Sequence, residues 1–108
     1  MEKGARIGAV LSATDKQVEF IGYGTYEGEE IPDEECVGMG PMLRAIGMPN
    51  AKIKLDSGET VYGCECWWSE EEELKKYIER RQSEGHTIIN FTVSEFRTRA
   101  KQWSEGWD

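Results

Sequence analysis

The chain has 108 residues, 38% of them apolar, and a formal net charge of −8. That length suits one domain burying about 65% of the surface its unfolded chain would expose. No run approaches the roughly 18 apolar residues of a membrane span, and the acidity argues against general binding to a nucleic-acid backbone, which needs clustered cations.

The opening "MEKGARIGAVLSATDK" has basic residues but only a brief apolar stretch. No secretory leader is expected from it, and the expected location is the cytosol. Three cysteines, Cys36, Cys64 and Cys66, form an odd set without a secretory signal, so reduced thiols are expected rather than a disulfide framework.

"ARIGAVL" and "QVEFIGYGTY" read as a first hairpin around "SATDK". A loop at 13–16 pairs Leu11 with Val18, Ala9 with Phe20 and Ile7 with Gly22. Ile7, Ala9, Leu11, Val18 and Phe20 then share one buried face. Gly22, Gly24 and Gly28 predict a bulge or a close backbone approach in the second strand. "GYGTYEG" lacks the spacing and the Lys-Ser/Thr of a phosphate loop. The following "EGEEIPDEE" gathers six acids without a base: Glu27, Glu29, Glu30, Asp33, Glu34 and Glu35. It reads as a solvated loop or as an acidic interaction surface that imitates a phosphate backbone.

A short helix is expected from Pro41 to Ile46. "AKIKLDSGETVYGCECWW" then predicts a second hairpin with Asp56-Ser57-Gly58 as its loop. Leu55 pairs with Glu59, Ile53 with Val61 and Ala51 with Gly63. One face carries Ile53, Leu55, Val61, Glu65 and Trp67; the other carries Lys52, Lys54, Thr60, Tyr62, Cys64, Cys66 and Trp68. Cys64 and Cys66 are thereby expected to point the same way, about 7 Å apart. Buried free thiols are the preferred reading. The alternative is a metal site built from Cys64, Cys66, Cys36 and His86, whose spacings match no compact zinc module. Catalytic residues, resident metal and cofactor are all expected to be absent.

Glu65 is the anomaly of this strand. An acid among apolar neighbours is paired with an arginine, turned out by a bulge at Gly63, or serves as a polar anchor in an aromatic-lined pocket. In the last case Trp67, Tyr23 and Tyr26 are its candidate neighbours. "SEEEELKKYIERRQSEG" predicts a helix capped by Ser69, with Glu72 completing a capping box and Gly85 ending it. Leu74, Tyr77, Ile78 and Arg81 form its inner face. "HTIINFTV" predicts a fifth strand, and Ser94 is expected to cap a last helix bearing Phe96, Ala100 and Trp103 at helical spacing. On it, Arg97 and Arg99 offer a small cationic surface suited to a phosphate-bearing ligand or an acidic protein patch, or merely a solvated face.

The element order predicts an α+β fold: an antiparallel sheet or small curled β-barrel of about five strands, built from two hairpins, with two to three helices. A single domain is expected over 1–103, with a polar tail over 104–108. At "IGYGTYEGEEIP" and "PNAKIKLDSGETVYGCECWWSEEEELKKYI" the chain resembles small uncharacterised proteins encoded by tailed phages and bacteria. No activity attaches to that pattern, so it brings no catalytic residues. The resemblance implies a bacterial host cytoplasm and an accessory role exercised by binding, such as blocking host defence proteins or sequestering nucleotide signals. The function expected is therefore that of a non-enzymatic binding protein. It acts through a protein surface or through a pocket for a small anionic, nucleotide-like ligand formed by Glu65, Trp67, Tyr23, Tyr26, Arg97 and Arg99. An acidic inhibitor imitating nucleic acid is the alternative, a cysteine-based metal protein a further one, and self-association as a homo-oligomer stays open.

Overall fold

A computed structural model describes the backbone of residues 1–105 and the side chains through Gln102. The strands are β1 (Arg6–Ala13), β2 (Gln17–Glu30), β3 (Asn50–Leu55), β4 (Thr60–Tyr62), β5 (Trp67–Glu70) and β6 (Thr87–Asn90). The helices are α1 (Gly40–Ala45), α2 (Glu71–Ser83) and α3 (Val93–Glu105), and a single 3₁₀ turn spans Gly63–Glu65. The fold is α+β. The sheet runs β4-β3-β2-β1-β5, with antiparallel neighbours throughout, and β6 adds to the Gln17–Phe20 end of β2 in parallel.

β4 and β5 lie at opposite ends of that sheet path, yet only residues 63–66 join them. Such a link spans at most roughly 17 Å. The sheet is therefore strongly curled, its two edges drawn together by the 3₁₀ turn. Ile7, Ile53, Leu55 and Val61 form one core, completed by Val93 and Phe96 from the start of α3. Val10 and Val18 form a second core under Leu74 of α2, with Tyr77 and Ile78 of that helix packed against it.

The first hairpin departs from the expected register. Ala13 pairs with Val18, Val10 with Phe20, Ala9 with Gly22 and Ile7 with Gly24. The turn is tighter because the Thr14 hydroxyl accepts from the Gln17 N–H and the Thr14 N–H bonds the Gln17 carbonyl. Two bulges follow, with Leu11 extra on β1 and Ile21 extra on β2. Each bulge reverses the alternation beyond it. The expected single face is therefore divided: Ile7 and Leu11 enter one core, Val18 and Phe20 the other. Gly24 marks the close approach read from the sequence, since a Cβ there would sit 2.2 Å from the Lys54 carbonyl oxygen.

The second hairpin forms as expected near its turn, with Ile53 opposite Val61 and the Leu55 N–H on the Glu59 carbonyl. Pairing stops at Tyr62, where the 3₁₀ turn replaces the expected continuation to Trp68. Side chains hold that turn: Asn50 Oδ1 accepts from the Cys64 N–H at 2.7 Å, and Glu65 Oε1 from the Tyr62 N–H at 3.0 Å.

Two expected caps move. Ser69 and Glu70 pair in β5 with Gly8 and Ile7, so α2 begins at Glu71 with no side-chain cap. Strand pairing takes precedence over the Ser69 box. α3 is capped by Thr92, whose hydroxyl accepts from the Glu95 N–H while Glu95 reaches back to the Thr92 N–H. Glu59 adds its carboxylate to the Val93 and Ser94 N–H groups. α3 runs to Glu105, into the stretch expected as a tail. The Trp103 side chain and Trp107 lie outside the described residues.

Candidate functional site

Glu65 sits in the 3₁₀ turn with its side chain wholly buried. Of the two structural explanations offered for it, the arginine pairing applies. The strand does break at Gly63, but into a 3₁₀ turn that keeps the acid buried rather than a bulge that turns it out. Arg97 of α3 grips the carboxylate with two donors, Nε to Oε2 at 2.9 Å and Nη2 to Oε1 at 2.8 Å. The Tyr62 and Val37 N–H groups supply two further bonds, at 3.0 and 3.1 Å. Four donors thus compensate the desolvation of one carboxylate. Burial opposes the Arg97 charge, but the Glu65 contacts prevail and raise the guanidinium above its ordinary value.

Arg99, on another side of α3, forks onto Glu19 of β2 at 2.7 and 3.2 Å and lies over the Phe91 ring. The Arg99 hydrogen bonds hold the Glu19 carboxyl below its ordinary value against burial, with help from the Ser12 hydroxyl. The two arginines read as an anion surface thus each hold a carboxylate of this chain. Lys101 lines an open cleft with Arg97, beside Glu35 and Glu59.

The aromatic candidates are dispersed. Tyr26 stacks on Trp68 with ring centroids 5.5 Å apart, both partly buried and packed against the main core. Tyr23 packs edge-on to Phe20 beside the second core and lies under the Lys75 ammonium. Trp67 is 78% exposed at the margin of a cleft of about 540 Å³ that Val10, Trp68, Leu74 and Tyr77 help line. Glu65 shares a second cleft with Trp67, but only through its backbone, because its side chain has no exposed surface.

The 3₁₀ turn also corrects the cysteine geometry. Cys64 and Cys66 do not lie side by side along a strand. Cys64 Sγ meets Cys36 Sγ at 3.6 Å, whereas Cys66 Sγ donates to the Tyr62 carbonyl and packs against the main core. Burial, and then the Glu65 charge, push the Cys66 thiol up to about 12 and raise the Cys36 thiol as well. His86 instead follows α2, its Nδ1 accepting from Arg81 Nε. Among the described residues no group of three or more His, Cys, Asp or Glu side chains is arranged to hold a metal ion.

The acidic segment is part strand, part loop. Glu27, Glu29 and Glu30 belong to the end of β2, with Glu27 bonded by Thr25 and Glu30 paired with Lys52 at 3.0 Å. Asp33, Glu34 and Glu35 are exposed, and the Asp33 carboxylate accepts the Glu35 N–H.

Beside these acids lies a surface not singled out from the sequence. Seven large apolar side chains are exposed among the described residues, and five of them fall between Ile31 and Met48: Ile31, Met39, Met42, Ile46 and Met48. α1 buries Leu43 and packs back on the acidic segment, where Arg44 donates to the Asp33 carbonyl at 2.8 Å. Its six residues are too few to bury the apolar side chains around it. The legible signal was "GMGPMLRAIGMP", in which Met39, Met42 and Ile46 recur at helical spacing in a segment bounded by Gly and Pro. No family model, curated protein or solved structure matches the chain.

Proposed function

We propose that this protein is a non-enzymatic binding module, whose working surface is the methionine-rich face around α1 and whose partner is a basic amphipathic protein segment. The observation that carries the proposal is the exposed run of Ile31, Met39, Met42, Ile46 and Met48 beside the exposed acids Asp33, Glu34 and Glu35. Methionine side chains are flexible and polarizable, so a cluster of them adapts to apolar anchors of varied shape. The adjacent carboxylates favour lysine and arginine on the partner, speeding encounter and fixing its orientation. A second copy fits less well, because two-fold pairing of this face would bring its own acids together. Accessory action by binding, which the phage resemblance implies, suits such a surface.

The test titrates the chain with a helical Leu/Lys amphipathic peptide and with its Leu/Glu counterpart, following fluorescence anisotropy. The basic peptide should bind at least about tenfold more tightly, the equivalent of about 1.4 kcal/mol. Met39→Ser, Met42→Ser and Ile46→Ser combined should remove that preference. Glu34→Gln with Glu35→Gln should chiefly slow association and reduce its salt dependence. Equal binding of both peptides, or full binding by the triple variant, refutes the reading. Loss of binding in the charge variant alone would favour the acidic-mimic alternative. Sedimentation that rises with concentration and is abolished by the triple variant would assign the face to a second copy.

A further inference from the structure

Cys36 and Cys64 meet across the fold although they stand 28 positions apart in sequence. Their sulfurs lie 3.6 Å apart, in direct contact. The backbone around each is pinned: Asn50 Oδ1 holds the Cys64 N–H, and Glu65 Oε2 holds the N–H of Val37, next to Cys36. Cys36 is buried against Gly40, whose missing Cβ would fall 2.6 Å from the Cys36 sulfur. Cys64 is half-buried and helps line an open cleft with Leu11, Trp67 and Trp68, which gives small solutes a path to it.

We propose that Cys36 and Cys64 are an oxidative modification site, forming a reversible intramolecular disulfide with a hydroperoxide as oxidant. The Cys64 sulfur attacks one oxygen of hydrogen peroxide, the simplest such oxidant, and the O–O bond breaks. The departing hydroxide takes the thiol proton, and a sulfenic acid and water result. The Cys36 thiol then gives up its proton and attacks the sulfenic sulfur. The S–S bond forms as the S–O bond breaks, and the departing hydroxide takes the proton as a second water. The two thiols together lose two electrons and the peroxide gains two. Cys64 goes first because the cleft reaches it; Cys36, buried but in contact with the Cys64 sulfur, resolves. Closure to a bond of about 2.05 Å asks for a displacement of the size that side-chain rotation gives. Cys66 is turned away, donating to the Tyr62 carbonyl. The bond would tie the segment entering α1 to the 3₁₀ turn that joins the two sheet edges. This proposal is independent of the partner assigned to the methionine face.

The full chain is treated with hydrogen peroxide under native conditions, and its intact mass and alkylatable thiols are then measured after denaturation. The expected product is a monomer lighter by two hydrogens, with one alkylatable thiol where the reduced chain has three. Dithiothreitol should restore both readings. Cys66→Ser should still lose two hydrogens, while Cys64→Ser and Cys36→Ala should not. A native chain that keeps all three thiols overturns the proposal. So does one that only gains oxygen, or one whose mass loss disappears in Cys66→Ser.

Discussion

Glu65 shows how one residue can unite distant parts of this chain. Its carboxylate takes donors from the end of β4, from the loop before α1 and from α3. The buried pair need not exceed the stability of an apolar replacement, but breaking it from one side leaves a buried charge with half its donors. Arg97→Ala should therefore lower unfolding free energy by about 3–5 kcal/mol, measured by urea denaturation. Arg97→Lys should recover only part, since an ammonium lacks the planar fork that serves both oxygens. Exchanging Glu65 and Arg97 together for leucine and methionine should cost less than either single truncation. Additive costs would show that the two side chains do not act as a unit. The same geometry sets the terms for any anionic ligand at Arg97, which would have to displace a carboxylate of the protein itself.

At the scale of elements, two glycines separate conformational strain from steric contact. Gly85 ends α2 with φ +85°, its N–H on the Gln82 carbonyl and the following His86 N–H on Arg81. Open space surrounds its Cβ position, so Gly85→Ala meets only the left-handed backbone cost of about 1–2 kcal/mol. Gly24 has no such strain, but a Cβ would strike the backbone of β3, which must retreat. Gly24→Ala should lower the melting temperature further than Gly85→Ala, and hydrogen exchange should quicken in β3 while α2 stays protected. The reverse order would mean that the contact between β2 and β3 yields easily. Both glycines were legible, one as a helix stop and the other as a close approach. The β3–β4 register was equally legible, because alternation and an Asp-Ser-Gly loop agree there. What escaped was every feature settled by a distant partner. Nothing local in "SATDK" announces two compensating bulges. Ser69 looks like a cap until β1 claims it as a strand partner. "VYGCECWW" alternates like a strand until Asn50 and Arg97 make the 3₁₀ turn more favourable. Glu65 itself was visible as an anomaly; its four donors were not.

Across the whole molecule, ionic contacts hold the layers as well as apolar burial does. Arg6 on β1 reaches both Asp56 in the β3–β4 turn and Glu71 at the start of α2, while Arg99 ties α3 to Glu19 on β2. Hydrogen bonds from Arg6 hold the Asp56 and Glu71 carboxyls below their ordinary values, as Arg99 does for Glu19. A carboxyl depressed in the folded state binds protons more readily once the chain unfolds. Its stabilisation is therefore fully present above the ordinary carboxylate value, roughly pH 4, and is lost as pH falls through the folded value. The two arginine contacts should not contribute equally. Arg6 and Asp56 are exposed, where solvent and salt screen the pair, and the Glu71 side chain is 17% exposed. Arg99 is exposed as well, but Glu19 is 12% exposed and is also bonded by the Ser12 hydroxyl. Melting temperatures between pH 5 and pH 2 should fall steeply in the native chain, and Arg99→Ala should flatten that fall. Arg6→Ala should flatten it less, with a difference that shrinks as salt is added. An Arg99→Ala profile parallel to that of the native chain would remove Glu19 as a source of acid sensitivity. The fall would then be assigned to Asp56 and Glu71, whose share the Arg6→Ala profile reports in the same titration.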